Sequence, residues 1–390
     1  MKPLAIALAA LTLSGGVTTG AAEDPAALHK RLLTLDTHLD TPLHFGREGW
    51  RFDARHSPAD DISQVDLGRM REGALDGGFF VIYTDQGPLS AQGYADALAF
   101  ARTRSDLIDR TIAAYPKQIA PALTAADARR LDGEGKLFAF KSIENSYPLG
   151  EDLSLLAEFY AKGVRLAGPV HGKNNQFADS ATDAPRWNGL SPLGRLWVAE
   201  MNRLGMVIDA SHASDAAFDQ MLELSKYPIL LSHSSLRSAY DHPRNLDEDR
   251  LRKLAVKGGA MCISTIYLSE MNLTAERAEL FGRYEQIGTL SPADQADLTR
   301  RWNALNTREK MWNADFEKVM AMLLRAIEVA GIDHVCVGAD WDGGGGVDGI
   351  EDITALPKIT ARLKAAGYGD AEIEKIWSGN VLRILGRQKG

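Results

Sequence analysis

Short apolar runs, separated by polar segments, recur along the chain. They are rich in Val, Ile, Leu and Phe, which is typical of the buried strands of a parallel sheet. Eight strands are predicted in this way, at residues 32–37, 78–83, 136–143, 164–170, 206–211, 228–232, 259–264 and 334–339.

Helical patterns separate most of these predicted strands. Between the second and third strands, Leu98, Leu107 and Ile112 recur at near-helical spacing within residues 94–115. Strands that alternate with helices predict an α/β fold with a parallel sheet, and eight of them predict a closed (β/α)8, TIM-like barrel. A doubly wound open sheet is the alternative, but it usually has a glycine-rich turn after its first strand, and residues 36–38 contain no glycine.

One long segment looks like an addition to the barrel. Residues 266–316, after the seventh predicted strand, are mostly helical in pattern and rich in Glu, Arg and Leu. A loop at this point emerges on the catalytic face, so we expect a helical insertion that either shapes the pocket or forms the surface of a homodimer. No linker or internal repeat divides the rest, and residues 23–390 are expected to form a single barrel domain.

The N-terminal residues 1–22 have the pattern of a secretory signal peptide. Lys2 precedes an apolar stretch over residues 4–13, and small residues then lead to Ala22. This stretch is too short to remain as an anchor, so no membrane span is expected in the mature chain. We therefore expect a periplasmic or secreted protein.

Composition and charge narrow the classes of partner. The chain has 390 residues, of which 45% are hydrophobic and 25% charged, as in a large globular protein with a substantial core. The formal net charge is −8 and the sequence pI is about 5.7. Nothing in this balance favours nucleic acid or an anionic membrane surface as a partner.

The sequence contains two cysteines, Cys262 and Cys336, each inside an apolar run. They fall on consecutive predicted strands, where a disulfide is conceivable. Because neighbouring parallel strands rarely provide the geometry of the bridge, we expect two buried thiols.

Side chains of the metal-binding type stand at the ends of several predicted strands. His38 and Asp40 follow the first strand, Glu144 the third, His212 the fifth and His233 the sixth. A lone histidine beside a strand is usually a satisfied core residue. The repeated placement instead indicates a shared metal site, because a (β/α)8 barrel builds its active site from strand ends.

The types and spacing of these residues favour zinc or a similar divalent ion. Residues two apart in a strand point the same way, so His38 and Asp40 can bind one ion together. Five candidate ligands exceed what one catalytic zinc takes from a protein. We therefore predict two zinc ions about 3.5–4 Å apart, with Glu144 as a bridge and a water between them. The expected chemistry is hydrolysis of an amide, ester or related bond.

Seven stretches of the sequence, taken in order, point to a known family. They lie at 36–42, 142–144, 171 with 175–180, 209–212, 232–235, 242–245 and 338–343. Along nearly the whole mature length the chain resembles the renal (membrane) dipeptidases, a branch of the amidohydrolase-like barrels. The resemblance implies a binuclear zinc barrel that cleaves dipeptides, some members accepting a D-residue at the C-terminal position.

The resemblance also implies how the metal ligands divide. His38 and Asp40 would bind one zinc, His212 and His233 the other, and Glu144 both. Each of these residue types is present at the matching position.

Three further roles are implied around the metals. His171 would polarise the scissile carbonyl and stabilise its oxyanion, Arg244 would hold the free carboxylate of the substrate, and Asp340 would carry the proton from water to the leaving amine. The alternative interpretations are a polar strand end for His171 and a solvated surface charge for Arg244, which lies near Asp247 and Glu248 in the sequence.

The chain departs from the family pattern beside the site. Asn145 and Ser146 stand where the family usually has glycines, Ala210 replaces a common Leu, and Trp341 replaces a common Phe. None of these changes removes a ligand, so they bear on substrate preference.

Two other functions are compatible with parts of the pattern. One is a different metal-dependent hydrolase on the same barrel, acting on lactones or cyclic amides, or a deaminase. Against it, no predicted strand end offers a bridging Lys, and Arg244 suits a free carboxylate. The other is a non-catalytic periplasmic binding protein, which would be expected to have lost a ligand or Asp340, and none is lost.

Overall fold

The computed structural model describes residues 24–388, so the predicted signal peptide at 1–22 lies outside the described residues. None of the helices within 24–388 is long and apolar enough to cross a membrane.

The strands are β1 Leu35–Leu39, β2 Gly77–Tyr83, β3 Ile119–Pro121, β4 Leu137–Glu144, β5 Val164–Ala167, β6 Val207–Ile208, β7 Leu230–Ser234, β8 Ala260–Ile263 and β9 Val335–Val337. The α-helices are α1 Pro25–Arg31, α2 Leu67–Glu72, α3 Ala91–Ala113, α4 Ala125–Gly133, α5 Ser154–Ala161, α6 Pro192–Leu204, α7 Asp215–Leu224, α8 Glu248–Val256, α9 Ala275–Glu285, α10 Pro292–Arg308, α11 Phe316–Ala330, α12 Pro357–Ala365, α13 Asp370–Glu374 and α14 Asn380–Gly386.

The strands form two parallel sheets that curl toward each other. One has the order β1-β2-β4-β5-β6, with β3 beside β4, and the other has the order β7-β8-β9. A parallel bridge between Asp209 and Leu230 connects the end of β6 to β7, and a second one between Leu39 and Trp341 connects β1 to the chain after β9. At the second bridge, Asp40 N donates to Trp341 O at 2.8 Å. The two sheets therefore meet at both of their edges, and the predicted α/β class with a parallel sheet is confirmed.

Every predicted strand overlaps an observed one, and β3 is additional. This strand has three residues and pairs only with β4, so its apolar pattern is too short to stand out in the sequence. The helix predicted over residues 94–115 is α3, which begins earlier than its apolar spacing suggests. Its start is set by Ser90, whose side chain accepts a hydrogen bond from Gly93 N.

A buried apolar cluster fills the inside of the curled sheets. Alternate residues of a strand point to the same face, so each strand contributes one or two side chains to this cluster. The contributors from the strands other than β3 are Leu35, Phe79, Phe138, Phe140, Leu166, Val207, Leu230, Ala260, Cys262 and Cys336.

The expectation of two free thiols is wrong. Cys262 and Cys336 form a disulfide between β8 and β9. The parallel register places the two residues directly opposite each other, with their Cα atoms 4.1 Å apart, and both side chains belong to the internal cluster. The sequence gives strand order but not this register.

The segment predicted as a helical insertion is a pair of helices, α9 and α10, that follows β8. Each helix begins at a capping side chain: Thr274 accepts from Arg277 N, and Ser291 accepts from Asp294 N. The pair has its own small buried cluster, made by Leu280, Tyr284, Ile287, Leu298 and Leu305. The insertion is therefore a folded unit laid against the strand ends.

Candidate metal centre and substrate pocket

Six polar residues singled out in the sequence converge at the carboxyl ends of the strands, which open on one side of a parallel sheet. They are His38 and Asp40 at β1, Glu144 at β4, His212 after β6, His233 in β7 and Asp340 after β9. His212 and Asp340 have left-handed backbone, with φ of 65° and 67°. Such backbone is uncommon outside glycine, and here it turns the chain sharply after the strand.

Glu144 occupies the middle of this group. Its Oε1 lies 2.9 Å from His212 Nε2 and 3.4 Å from His233 Nε2. Its other oxygen, Oε2, lies 3.4 Å from His38 Nε2, which is itself 3.2 Å from Asp40 Oδ2. The two carboxylate oxygens therefore face two separate sets of potential ligands.

The hydrogen bonds around His233 fix which of its nitrogens is free. Ser232 has one hydroxyl proton, and it donates this proton to Asp209 Oδ2. His233 Nδ1, 2.8 Å from the same hydroxyl, must then be the donor, which leaves the lone pair on Nε2. That lone pair lies 3.4 Å from Glu144 Oε1 and 2.9 Å from His212 Nε2, a group of electron-rich atoms that a cation between them would stabilise.

His38 gives a second sign that this group fits a cation. Its Nε2 is buried and makes no well-aligned hydrogen bond with a described residue, although Asp40 Oδ2 and Glu144 Oε2 lie 3.2 and 3.4 Å away. Imidazole nitrogens and carboxylate oxygens without a thiolate are the donor set of zinc and similar divalent ions. The donor atoms of His38, Asp40 and Glu144 lie within 4.8 Å of one another, as do those of Glu144, His212 and His233.

Two buried carboxylates hold the ligands in place, and the sequence patterns gave them no role. Asp209 accepts from Ser232, which contacts His233. Asp36 Oδ1 accepts from His38 N at 2.8 Å. Asp36 thus fixes the backbone of His38, and Asp209 orients the His233 ring through Ser232, as partners behind metal ligands do. The only signal in the sequence is an aspartate two or three residues before a predicted ligand histidine.

Burial sets the protonation of several groups. Desolvation lowers the pKa of His212 and of His233 well below the ordinary value, so both are neutral imidazoles, as metal binding requires. Burial raises the pKa of the Asp340 carboxyl well above its ordinary value, and the neighbouring carboxylates of Asp40 and Glu144 act in the same direction.

A cavity of about 400 Å³ lies over this group of residues. Its floor includes Asp40, Glu144 and Asp340. The helical insertion supplies much of its wall, through Phe281, Tyr284, Glu285, Met311 and Trp312. The insertion is expected from the sequence either to shape the pocket or to form the surface of a homodimer. The structure shows that it shapes the pocket.

His171 lies at the edge of the cavity. Its Nε2 is 3.9 Å from Glu144 Oε1, and its ring packs against those of His212 and Tyr83, with centroids 4.3 and 4.9 Å away. The side chain is 36% exposed, so a ligand in the cavity can reach it. Burial lowers the pKa of His171 and favours its neutral form.

Arg244 is buried behind His233 and is not a solvated surface charge. Its two terminal nitrogens donate to His233 O at 2.7 Å and to Ser234 Oγ at 2.9 Å. Its Nε has no hydrogen-bond partner among the described residues. Arg244 does not belong to the described residues that line the cavity, so its contact with a substrate stays a prediction.

A glycine closes the turn that carries Asp340. A Cβ atom on Gly343 would lie 2.2 Å from Asp40 Oδ2 and 2.3 Å from Asp340 Oδ1. Any side chain at this position would push the two carboxylates apart, so Gly343 sets how closely they approach.

Comparison with known proteins adds to this geometry. The family model described as membrane dipeptidase (peptidase family M19) matches residues 23–389. Dipeptidase tcpJ of Claviceps purpurea is 31% identical over 360 residues, which cover 90% of this chain and 76% of that protein. Dipeptidase aclJ of Aspergillus oryzae is 30% identical, and the match covers 83% of this chain and 69% of that protein.

A solved structure with a similar fold is also that of a probable dipeptidase. The crystal structure of the probable dipeptidase PvdM from Pseudomonas aeruginosa superposes with a TM-score of 0.80 at 30% identity. The match covers 94% of this chain and 97% of that one. On this family model, these relatives and this structure, the chain belongs to the membrane dipeptidase family, peptidase family M19.

Proposed function

We propose that this M19 dipeptidase hydrolyses the peptide bond of dipeptides with two zinc ions held at the strand ends. The observation that carries the proposal is the position of Glu144, whose Oε1 faces His212 and His233 and whose Oε2 faces His38, in one group with Asp40. A single ion would leave one of these two sets unused. When bound, the ions would polarise the scissile carbonyl and lower the pKa of the attacking water.

The proposed proton carrier is Asp340. It lines the cavity, and its Oδ1 lies 3.7 Å from His38 Nε2, at the edge of the ligand group. As a carboxylate, Asp340 can take the proton of the attacking water, and as the resulting acid, which its raised pKa favours, it can give that proton to the nitrogen of the leaving amine.

The proposed substrate contacts are those of His171 and Arg244. His171 lies at the cavity edge, where its imidazole can donate to the carbonyl oxygen of the scissile bond. Arg244 is proposed to bind the free C-terminal carboxylate through a guanidinium fork. With the carboxylate rather than the side chain as the anchor, a C-terminal D-residue is accepted and a C-terminal amide is not.

We further propose that the curled sheets form one closed (β/α)8 barrel within a single domain. Support comes from the internal cluster shared by strands β1 and β9, at opposite ends of the strand order, and from the bridges at Leu39–Trp341 and Asp209–Leu230. We also propose secretion or a periplasmic location, which rests on the sequence pattern of residues 1–22 alone.

The test is a substrate panel on the purified protein with its metal content measured. Matched L,L- and L,D-dipeptides, the amide of one of them and a tripeptide would be compared before and after chelation and zinc reloading. We expect hydrolysis of the dipeptides only, lost on chelation and recovered with zinc. Equal cleavage of the amide or the tripeptide would contradict the dipeptidase assignment while leaving a metal-dependent hydrolase.

A further inference from the structure

A buried carboxylate stands two residues after Asp340. Asp342 is 1% exposed. Its Oδ1 accepts from Gln64 N at 2.6 Å and lies 3.2 Å from His44 Nε2, and its Oδ2 accepts from Thr41 Oγ1 at 2.7 Å. Asp342 therefore joins the turn that carries Asp340 to the residue that follows Asp40.

The protonation of His44 follows from its neighbours. Arg47 Nη1 lies 2.7 Å from His44 Nδ1, and a guanidinium can only donate. His44 Nδ1 must therefore accept, so the imidazole is neutral and carries its proton on Nε2. That proton points to Asp342 Oδ1, and the histidine side chain is fully buried.

Arg47 is held by two further partners. Its Nη2 donates to Asp61 Oδ2 at 2.7 Å and to Gln295 Oε1 at 2.9 Å. Gln295 belongs to α10 of the helical insertion. From the same insertion, Tyr284 donates its hydroxyl to the carbonyl oxygen of Asp342 at 2.7 Å. Two side chains of the insertion thus reach Asp342, one directly and one through Arg47 and His44.

The turn that receives these contacts has little freedom. Asp340 and Asp342 both have left-handed backbone, with φ of 67° and 65°. Gly345 N donates to Asp340 O at 2.9 Å, and the space around Gly343 is filled by the carboxylates of Asp40 and Asp340. A shift of the Asp342 carboxylate therefore moves Asp340 relative to Asp40.

We propose that His44 and Arg47 are positioning residues that set the place of Asp340 through Asp342 and connect it to the helical insertion. The inference rests on the proposed role of Asp340 in dipeptide hydrolysis. Loss of the chain of hydrogen bonds misplaces the proton carrier at the floor of the cavity, while the five proposed metal ligands and the rest of the cavity lining keep their own contacts. The effect is therefore on kcat and not on KM or metal content.

The test uses two pairs of variants in the metal-loaded enzyme. Arg47→Met and His44→Leu remove the hydrogen bonds, whereas Arg47→Lys keeps a donor and His44→Gln keeps both a donor and an acceptor. We expect the first variant of each pair to lower kcat by about 10- to 100-fold with KM little changed, because small misplacements of a reacting group cost this much. The conservative partner should recover most of the loss.

Arg277→Met is the matched control. Arg277 is a buried arginine of the helical insertion. It donates hydrogen bonds to Asn306 and to the carbonyl of Glu309, and not to Asp342 or its partners. The variant Arg277→Met should lower the melting temperature as Arg47→Met does, yet leave kcat nearly unchanged. Equal kcat losses in the control and in Arg47→Met, or no loss in Arg47→Met and His44→Leu, would overturn the inference. A parent enzyme without dipeptidase activity would overturn the proposed function and this inference together.

Discussion

The Nε2 atoms of His212 and His233 lie 2.9 Å apart. Burial holds the pKa of each ring well below its ordinary value, so two neutral imidazoles meet here, at a distance that allows a hydrogen bond in which His233 Nε2 accepts. The hydrogen bond from His233 to Ser232 directs the His233 lone pair toward the same space. Two imidazoles and a carboxylate arranged in this way are a donor set that could hold a cation.

The first prediction concerns metal stoichiometry. The parent should bind about two equivalents of zinc and lose activity on chelation, because two ligand sets share one carboxylate. Glu144→Gln should weaken both sites, whereas Glu134→Gln, an exposed control at the end of α4, should bind zinc as the parent does. Metal analysis after dialysis measures the difference. One tightly bound ion with full activity is incompatible with the binuclear site.

The second prediction concerns Asp340. Asp340→Asn should keep the metal content and substrate affinity of the parent but lower kcat by about 100-fold or more, as expected for a lost general acid and base. Steady-state kinetics with metal analysis on the same sample separates the two effects. A kcat within a few-fold of the parent would show that another group carries the proton.

The third prediction concerns Arg244. Arg244→Ala should lower kcat/KM by about 30- to several-thousand-fold, the equivalent of about 2–5 kcal/mol, if the guanidinium binds the substrate carboxylate. The parent arginine also donates to His233 O, so zinc content must be measured together with the kinetics. Retained zinc with lost discrimination between a dipeptide and its amide supports carboxylate binding. Loss of zinc instead assigns Arg244 to holding His233.

The fourth prediction concerns stability in acid. Burial lowers the pKa of His29 from 6.5 to about 4, although its hydrogen bond to Gly73 O acts in the opposite direction. His29 Nε2 lies 3.0 Å from that carbonyl, so Nδ1 accepts from Thr360 Oγ1. A proton on Nδ1 would turn this nitrogen into a donor, so Thr360 could no longer donate to it.

The unfolded chain binds this proton more readily than the folded one. The contribution of neutral His29 to the free energy of unfolding is therefore complete above pH 6.5 and is lost as the pH falls toward 4. The loss is about 3 kcal/mol by the usual conversion. Urea unfolding should show that the parent loses stability relative to His29→Gln as the pH falls, because Gln keeps a donor and an acceptor but does not titrate. An unchanging difference between the two proteins at pH 7.5 and pH 4.5 would contradict the assignment.

The sequence alone predicts which strand-end residues of this site come together, but not the contacts that the helical insertion makes across the strand ends. His38 and Glu144 could be placed together because each follows an apolar run, and parallel strands open on one side. The contact between Arg47 and Gln295 could not be predicted, because it depends on how the insertion packs across the strand ends. Similarly, the disulfide depends on the register of two strands and not on the spacing of Cys262 and Cys336.

That disulfide has a consequence for the insertion. Its two cysteines are 74 positions apart, and both α9 and α10 lie between them. The bond closes this stretch into a covalent ring, and a ring of this size stabilises a fold by about 4 kcal/mol in the chain-entropy account. A protease that cuts between α9 and α10 would leave both pieces attached through β8 and β9. The strands beneath the pocket wall therefore stay covalently connected even when the wall itself is cut.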